Sequence, residues 1–383
     1  MIPTISTIPL IQVASGDHLS LQFYKFTGTQ PGKKAYLQAN LHGAEIVGNA
    51  VIHQLVEFLI TLDDAQLFGE IWLVPVCNPI STNQRTHHFS TGRYNVYDGK
   101  DWNRIFWDYE KECNYLAAFA KSQIHLDPYE IRKNYLQLIQ ESFEKQLEKI
   151  NAPSGVPLSE HYRSHLQSLC LDANYVIDVH SSSNQSLDYL YCFRSREASA
   201  KFFLLDYGIL MNDMTEYDGD AFDEAFLKPW LALEDKLIEL GKEIRFDVES
   251  WTLELGSGMQ MNPESVEKGV RGIKNYLVQK GILKLPGFPL PETATQEVAF
   301  TPKNQIKKYY APSGGMIQSR IQVGSSVKAG QRLYQILSFN KVGELPTLID
   351  VCAEQGGLLF DVSTNHAVNQ AEYVLSIMEV NSQ

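Results

Sequence analysis

Apolar positions along the chain fall into two patterns, short continuous runs and longer segments with helical spacing. Within residues 36–45 an apolar run stops at a turn. After residue 45, apolar side chains recur at positions 46, 47, 50, 51, 55, 58 and 59, which predicts a helix. Residues 70–79 return to a continuous run closed by Asn-Pro, typical of a strand in a sheet covered on both faces. Strand, helix and strand in this order begin an α/β fold.

The same patterns predict further elements as far as residue 279. The alternating segment 20–26 is expected at or near the edge of a sheet. Residues 108–171 are mainly helical in character, with a helix start at Asp127-Pro128, an N-cap acid before a proline. Further strands are predicted at residues 173–183, 187–193 and 250–258, and further helices at 222–240 and 263–279.

The character of the chain changes after about residue 295. A proline-rich linker at 286–291 is followed by short strands with repeated glycines. Two copies of one pattern, at 314–337 and 356–378, align with a single-residue gap. A duplicated set of short strands predicts a small β-sandwich with a pseudo-twofold axis.

Length and charge narrow the class of protein. A chain of 383 residues is long for one core, so we divide it into a domain of residues 1–295 and a C-terminal β domain of residues 296–383. The net charge of −12 and the isoelectric point of about 5.3 argue against a nucleic-acid partner. An anionic substrate is compatible with this acidity if arginines are concentrated near its site.

Cysteine usage and hydropathy predict a cytoplasmic protein. The five cysteines are scattered, odd in number and without a C-x-x-C pair, which indicates reduced thiols. The N-terminus lacks a basic region followed by an apolar core, so no signal peptide is expected. No apolar run approaches the roughly 20 residues that a membrane helix needs. We therefore expect no membrane partner, and a homo-oligomer is left open.

Three side chains at the ends of strands suit a zinc centre. His42 and Glu45 stand in H-x-x-E spacing before the first helix, and His180 ends the strand predicted at 173–183. A catalytic His₂Glu zinc site needs these ligand types, and open α/β sheets bind ligands at the carboxyl edge. Alternatively, His42 is a capping or core-edge histidine and Glu45 an ordinary acid of the first helical turn. Asp178 is either an acceptor for an imidazole N–H or a plain strand-end acid.

Further polar residues are candidates for substrate chemistry. Glu254 interrupts an apolar strand just before glycines, where an acid is either a tuned general base or a strand-edge acid facing water. A guanidinium beside an amide donor can hold a carboxylate, but such an arginine can also pair with a structural acid. The polar loop and its end, residues 80–104, carry the candidates Arg85, Arg93, Asn103 and Arg104.

Five segments in order resemble the succinylglutamate desuccinylase/aspartoacylase family, a branch of the zinc carboxypeptidase-like fold. They are His42-Gly43-Ala44-Glu45, Asn78-Pro79, residues 101–106, residues 177–180 and residues 253–256. The resemblance implies an α/β fold with a mixed central sheet and helices on both faces. The chain departs from the family at Trp102, a position that is usually aliphatic, and in its long helical region 108–171.

The resemblance also implies roles for the candidate residues. One zinc ion per chain would be bound by His42, Glu45 and His180. Glu254 would be the general base or proton shuttle. A substrate carboxylate would be bound by Asn103 and Arg104, helped by an upstream arginine, for which Arg85 and Arg93 are both candidates.

The C-terminal region resembles the biotinyl/lipoyl-like β-fold that ends many members of this family. Lys341 lies between the two repeats, about where a lipoyl lysine would be, but it lacks the usual flanking residues. We therefore expect no covalent modification there.

Together these features predict a zinc-dependent hydrolase that cleaves an amide bond of a small carboxylate-bearing substrate, an N-acyl amino acid or a related amide. The alternatives are a metallocarboxypeptidase that acts on peptides, and a non-catalytic binding protein on the same fold. Retention of the ligand and base residues argues against a non-catalytic protein.

Overall fold

The computed structural model describes residues 1–84, 90–212, 220–339 and 342–379; Arg85 and Lys341, named above, lie outside these ranges. The strands are β1 (Thr4–Gln12), β2 (His18–Thr27), β3 (Gln30–Ala39), β4 (Phe68–Val74), β5 (Tyr175–Ser182), β6 (Gln185–Ser186), β7 (Tyr189–Phe193), β8 (Tyr207–Met211), β9 (Glu249–Ser257), β10 (Ala299–Pro302), β11 (Lys307–Tyr310), β12 (Gly315–Gln318), β13 (Ser326–Val327), β14 (Arg332–Ser338), β15 (Thr347–Cys352), β16 (Gly357–Val362), β17 (Ala367–Val368) and β18 (Tyr373–Met378). The α-helices are α1 (Val47–Ile60), α2 (Pro79–Thr82), α3 (Tyr109–Glu112), α4 (Leu116–Gln123), α5 (Pro128–Ile150), α6 (Leu158–Ser168), α7 (Glu197–Ala200), α8 (Phe222–Glu239) and α9 (Pro263–Gln279).

A nine-stranded mixed sheet forms the centre of the molecule, in the order β1-β2-β4-β3-β5-β9-β7-β8-β10. Its middle strands β4, β3, β5 and β9 are parallel, whereas β1, β2 and β7 introduce antiparallel pairs. Strand β2 lies second from the edge, as its alternating pattern predicted. The predicted mixed sheet is confirmed.

Helices cover both faces of this sheet, which confirms the predicted layers. Along β3, Ala35 and Leu37 pack into one apolar cluster with α1 and α9, whereas Tyr36 packs into the opposite cluster with α5, α6 and α8. Successive side chains on a strand point to opposite faces, so most positions of a strand that is buried on both faces are apolar. No helix in the described ranges is long and apolar enough to cross a membrane.

The helical region 108–171 belongs to one of these layers. Helix α5 begins where the sequence predicted, because the Asp127 carboxylate accepts a hydrogen bond from the Glu130 backbone N–H at 3.0 Å. Its buried side chains Ile131, Tyr135, Ile139 and Phe143 lie one helical turn apart and join the cluster that contains α8. The region therefore contributes to the core of the first domain.

Residues from Lys307 onward form two antiparallel sheets with orders β11-β18-β16-β13 and β15-β14-β12-β17. The two orders become the same when β11 is matched with β15, β12 with β16, β13 with β17 and β14 with β18. The two repeats therefore have the predicted pseudo-twofold arrangement. Strand β6 extends the first of these sheets by pairing with β16. Strand β10 lies after residue 295 but pairs with β8 in the central sheet, and we propose that the boundary between the two units lies between β10 and β11.

Candidate functional site

The corner that carries His42 and Glu45 depends on the buried Asn40 and on Gly43. Asn40 has a left-handed backbone (φ 68°), and its Nδ2 donates to the backbone carbonyls of His42 at 3.1 Å and Gly43 at 3.2 Å. At Gly43 an added Cβ would lie 2.3 Å from the Ser81 carbonyl oxygen. Glycine is needed here because α2 packs against the corner, whereas the left-handed turn itself is made by Asn40.

His42, Glu45 and His180 meet in one buried cluster. Their ligand atoms all lie within 4.8 Å of one another. The two carboxylate oxygens of Glu45 face the two imidazoles, Oε1 at 2.9 Å from His42 Nδ1 and Oε2 at 2.7 Å from His180 Nδ1. Burial alone would raise the pKa of Glu45, but the adjacent imidazoles outweigh it and hold this pKa well below its usual range.

A carboxylate lies behind each histidine ring. His42 Nε2 is 3.0 Å from Asp101 Oδ1, and His180 Nε2 is 2.9 Å from Asp178 Oδ2. Protein zinc sites commonly pair each ligating imidazole with a carboxylate in this way, which leaves the opposite nitrogen for the metal. The set of two imidazoles and one carboxylate, each ring backed by an acid, fits a zinc ion.

Arg93 and Ser183 complete the surroundings of Glu45. Arg93 donates from Nη1 to Asp101 Oδ2 at 3.0 Å and from Nη2 to Glu45 Oε1 at 3.3 Å. Ser183 Oγ donates to Glu45 Oε1 at 3.2 Å and accepts from Arg93 Nη2 at 3.1 Å. Sequence reasoning gave no role to Asp101 or Ser183, although Asp101 opens one of the segments that resemble the family.

Glu254 lies beside this cluster on β9. In the strand register it is opposite His180 of β5 and Tyr189 of β7. Its Oε2 has no hydrogen-bond partner among the described residues, and burial raises its pKa to about 8. A carboxyl group with one unengaged oxygen and a pKa near neutrality can accept and release a proton.

A cavity of about 580 Å³ opens in front of Glu254. Its walls come from both units of the molecule. Arg93, Ser183 and Glu254 line it from the unit built on the central sheet, and the C-terminal sheets contribute Lys308, Tyr310, Phe360, Asp361 and Tyr373.

Asn103 and Arg104 do not line this cavity. Asn103 Oδ1 accepts from the backbone N–H of Phe222 at 2.8 Å, at the start of α8. The exposed Arg104 donates from Nη1 to the Asn103 carbonyl oxygen at 2.6 Å. Of the predicted substrate residues that the structure describes, Arg93 is therefore the one that it brings to the cluster.

The mixed sheet and the site at the carboxyl ends of its central strands define an α/β protein of the zinc carboxypeptidase-like fold. Within that class, the chain belongs to the succinylglutamate desuccinylase/aspartoacylase family. The family model described as succinylglutamate desuccinylase/aspartoacylase catalytic domain matches residues 31–279. The resemblance inferred from the five sequence segments is confirmed. No curated protein matches the chain.

Solved structures support this assignment over the whole chain. A protein described as belonging to this family, from Shewanella amazonensis, is 29% identical, with 98% of each chain covered and a TM-score of 0.86. A second, from Shewanella frigidimarina, is 26% identical, with 98% of this chain and 97% of the other covered and a TM-score of 0.87. The ectoine utilization protein EutE of Ruegeria pomeroyi is 16% identical, with 99% and 96% coverage and a TM-score of 0.66, and shares the fold.

Proposed function

We propose that this protein is a zinc-dependent hydrolase that cleaves the amide bond of a small carboxylate-bearing substrate, an N-acyl amino acid. One observation carries the proposal: the buried cluster of His42, Glu45 and His180 lies beside Glu254. Glu254 lines a large cavity, and its Oε2 has no hydrogen-bond partner among the described residues. Membership of a family of deacylases that act on small acylated amino acids supports the reaction type.

His42, Glu45 and His180 would hold the zinc ion. The chemistry that zinc supplies when bound is polarisation of a carbonyl group and acidification of water. Asp101 and Asp178 keep the imidazoles oriented through their Nε2 atoms. Each ring therefore presents Nδ1 to the centre.

The Glu254 carboxylate would take a proton from the water that attacks the amide and return it to the departing amine. A general base works best when its pKa lies near the operating pH, and the raised pKa of Glu254, about 8, meets this requirement. Arg93 lines the same cavity and would attract the substrate carboxylate. We retain Asn103 and Arg104 as candidates for a more distant contact with substrate.

The proposal is tested by hydrolysis of a panel of N-acyl amino acids with zinc-loaded protein, using Glu254→Gln as the blank. We expect amine release by the wild type and close to one zinc ion per chain, with strong loss of zinc in His180→Ala. Unchanged zinc content in both His180→Ala and His42→Ala would refute the metal site. Efficient release of C-terminal residues from long peptides would instead favour the carboxypeptidase.

We also propose that the enzyme works in the cytoplasm. All five cysteines are free, and three of them are buried. Unpaired thiols are typical of proteins that work in a reducing compartment.

A further inference from the structure

The two units of the molecule are joined next to the candidate metal centre. Strand β5 ends with His180, Ser181 and Ser182, and the chain then runs directly into β6. Strand β6 pairs with β16 of the C-terminal unit, where Ser186 lies opposite Asp361. Two further bonds close this seam, from Leu187 N to Phe360 O and from Ser186 Oγ to the same oxygen, both at 3.0 Å.

At this seam the C-terminal unit buries one carboxylate, Asp361. Its Oδ2 accepts from Ser182 Oγ at 2.5 Å, and its Oδ1 accepts from Asn184 Nδ2 at 3.1 Å and from Tyr373 OH at 2.5 Å. A buried carboxylate is costly unless it is hydrogen-bonded, and bonds to an ionised acceptor are roughly twice as strong as neutral ones. Two of the three donors belong to the segment that follows His180, so the acid joins that segment to the C-terminal unit.

The residue between these two donors is Ser183, which touches the candidate metal centre. Its Oγ donates to Glu45 Oε1 and accepts from Arg93. The backbone of residues 182–184 is therefore fixed from outside by Asp361, while its middle side chain orients the Glu45 carboxylate. A shift of this segment would move the hydroxyl away from Glu45.

We propose that Asp361 is a positioning residue of the candidate active site, which acts through Ser182 and Asn184 to hold Ser183 against Glu45. This inference rests on the proposed function, and it extends the site beyond the family's matched catalytic region, residues 31–279. The C-terminal unit then contributes to the geometry of the centre as well as to the wall of the cavity.

The test is a double-mutant cycle between Asp361→Asn and Ser183→Ala, read as zinc affinity by chelator competition and as kcat/KM. Outer partners of metal ligands typically contribute about 10–100-fold in metal affinity or activity, so we expect a loss in that range for Ser183→Ala. Asp361→Asn acts through Ser183 and should lose a similar or smaller factor. In the Ser183→Ala background, Asp361→Asn should cause no more than about a twofold further loss, because both substitutions then act on the same contact. Twofold is about the error with which the effects of independent substitutions add.

Two single variants separate positioning from general support of the seam. Ser182→Ala removes one of the same hydrogen bonds from the other side and should reproduce part of the Asp361→Asn loss, even if Asp361→Asn folds poorly. Ser186→Ala is the matched control, because it removes a seam hydrogen bond to Phe360 but none of the hydrogen bonds of the Asp361 carboxylate. It should leave zinc affinity and kcat/KM unchanged.

The outcomes distinguish this inference from the proposed function. If the wild type binds zinc and hydrolyses N-acyl amino acids but Asp361→Asn loses the same factor with and without Ser183, the positioning role is refuted and the enzyme assignment stands. An equal loss in Ser186→Ala refutes it as well. If the wild type neither binds zinc nor hydrolyses any N-acyl amino acid, the proposed function itself fails.

Discussion

The two histidines of the candidate centre use their ring nitrogens in the same way. Each presents Nδ1 to one oxygen of Glu45 and Nε2 to an aspartate, Asp101 or Asp178. A carboxylate behind an imidazole fixes the ring and raises its basicity as a ligand. The two aspartates therefore matter to the centre although they lie outside the His-Glu-His set.

Replacement of Asp178 by Asn should lower zinc affinity by about 10–100-fold, since a neutral amide orients the His180 ring less strongly than a carboxylate. Competition with a chelator measures the change. Asp188→Asn is the control, because Asp188 bonds to Ser265 and Lys268 instead of to the centre. Equal affinities in wild type and Asp178→Asn would make Asp178 a plain strand-end acid.

Glu254→Gln should retain zinc and lose turnover by about 10²–10⁴-fold, the usual contribution of a general base. In the wild type, kcat/KM should rise with pH, because the base must be ionised to accept a proton. The midpoint of this rise should lie at or below about 8, the raised pKa of Glu254. A cation bound nearby would lower the midpoint further, because it favours the ionised carboxylate. A rate–pH profile of both proteins checks this, and near-native kcat in Glu254→Gln would assign the residue a structural role.

Arg104→Ala tests the outer part of the predicted substrate site. If Arg104 contacts the substrate carboxylate, the variant should raise KM for a free acid much more than for its methyl ester, which lacks the charge that the guanidinium pairs with. Steady-state kinetics on the two substrates give the comparison. Equal losses on both would show that Arg104 supports the loop, in keeping with its bond to the Asn103 carbonyl.

Three of the residues that sequence reasoning placed at the centre stand at or just after the carboxyl end of an apolar strand, which is a local signal. His42, His180 and Glu254 could be predicted for that reason. Ser183 could not, because nothing within the run of three serines distinguishes the one that reaches Glu45. The spacing of Arg85 and Arg93 left both open, and the contact of Arg93 with Asp101 depends on how the loop folds back.

At the scale of elements, the helical region 108–171 supports the turn that carries Asp101. Trp102 is fully buried and packs edge to face on Tyr162 of α6, with ring centroids 5.2 Å apart. The backbone N–H of Asn103 donates to Asp101 Oδ1 at 2.8 Å, so the tryptophan anchors the turn that orients His42. Trp102 and the helical region 108–171 are therefore parts of one contact.

Trp102→Ala should lower the free energy of unfolding by about 3–5 kcal/mol, the typical cost of removing a buried tryptophan side chain. Urea denaturation measures this difference. Tyr97→Ala in the same loop is the control, because Tyr97 is 78% exposed, and surface substitutions usually change stability by less than about 0.5 kcal/mol. Similar values for the two variants would contradict the anchoring role.

Helices with local signals were predicted closely, whereas short strands held by distant partners were not. Helix α9 spans the predicted range 263–279 because Asn262 caps it and Pro263 opens it. Strand β6 has only two residues, both polar. Its conformation comes from pairing with β16, more than 170 positions later, which no local pattern can reveal.

At the scale of the whole molecule, the C-terminal unit contains the two predicted repeats, but Lys341 between them lacks the flanking sequence of a modified lysine. The intact mass of protein purified from its native host should therefore equal that of the unmodified chain. Mass spectrometry provides the measurement. An added lipoyl or biotinyl group on Lys341 would contradict the expectation and turn the C-terminal unit into a carrier.

The pseudo-twofold pairing of this unit bears on its assembly. Each of its two sheets takes two strands from the first half of the unit, β11–β14, which contains the first repeat, and two from the second half, β15–β18, which contains the second. A single repeat could complete neither sheet alone and would have to exchange strands with another copy, as a symmetric dimer does. Fusion of two copies in one chain replaces that encounter by an intramolecular one, whose effective concentration is set by the linker. The wall of the cavity then forms at any protein concentration, which two separate chains could not guarantee.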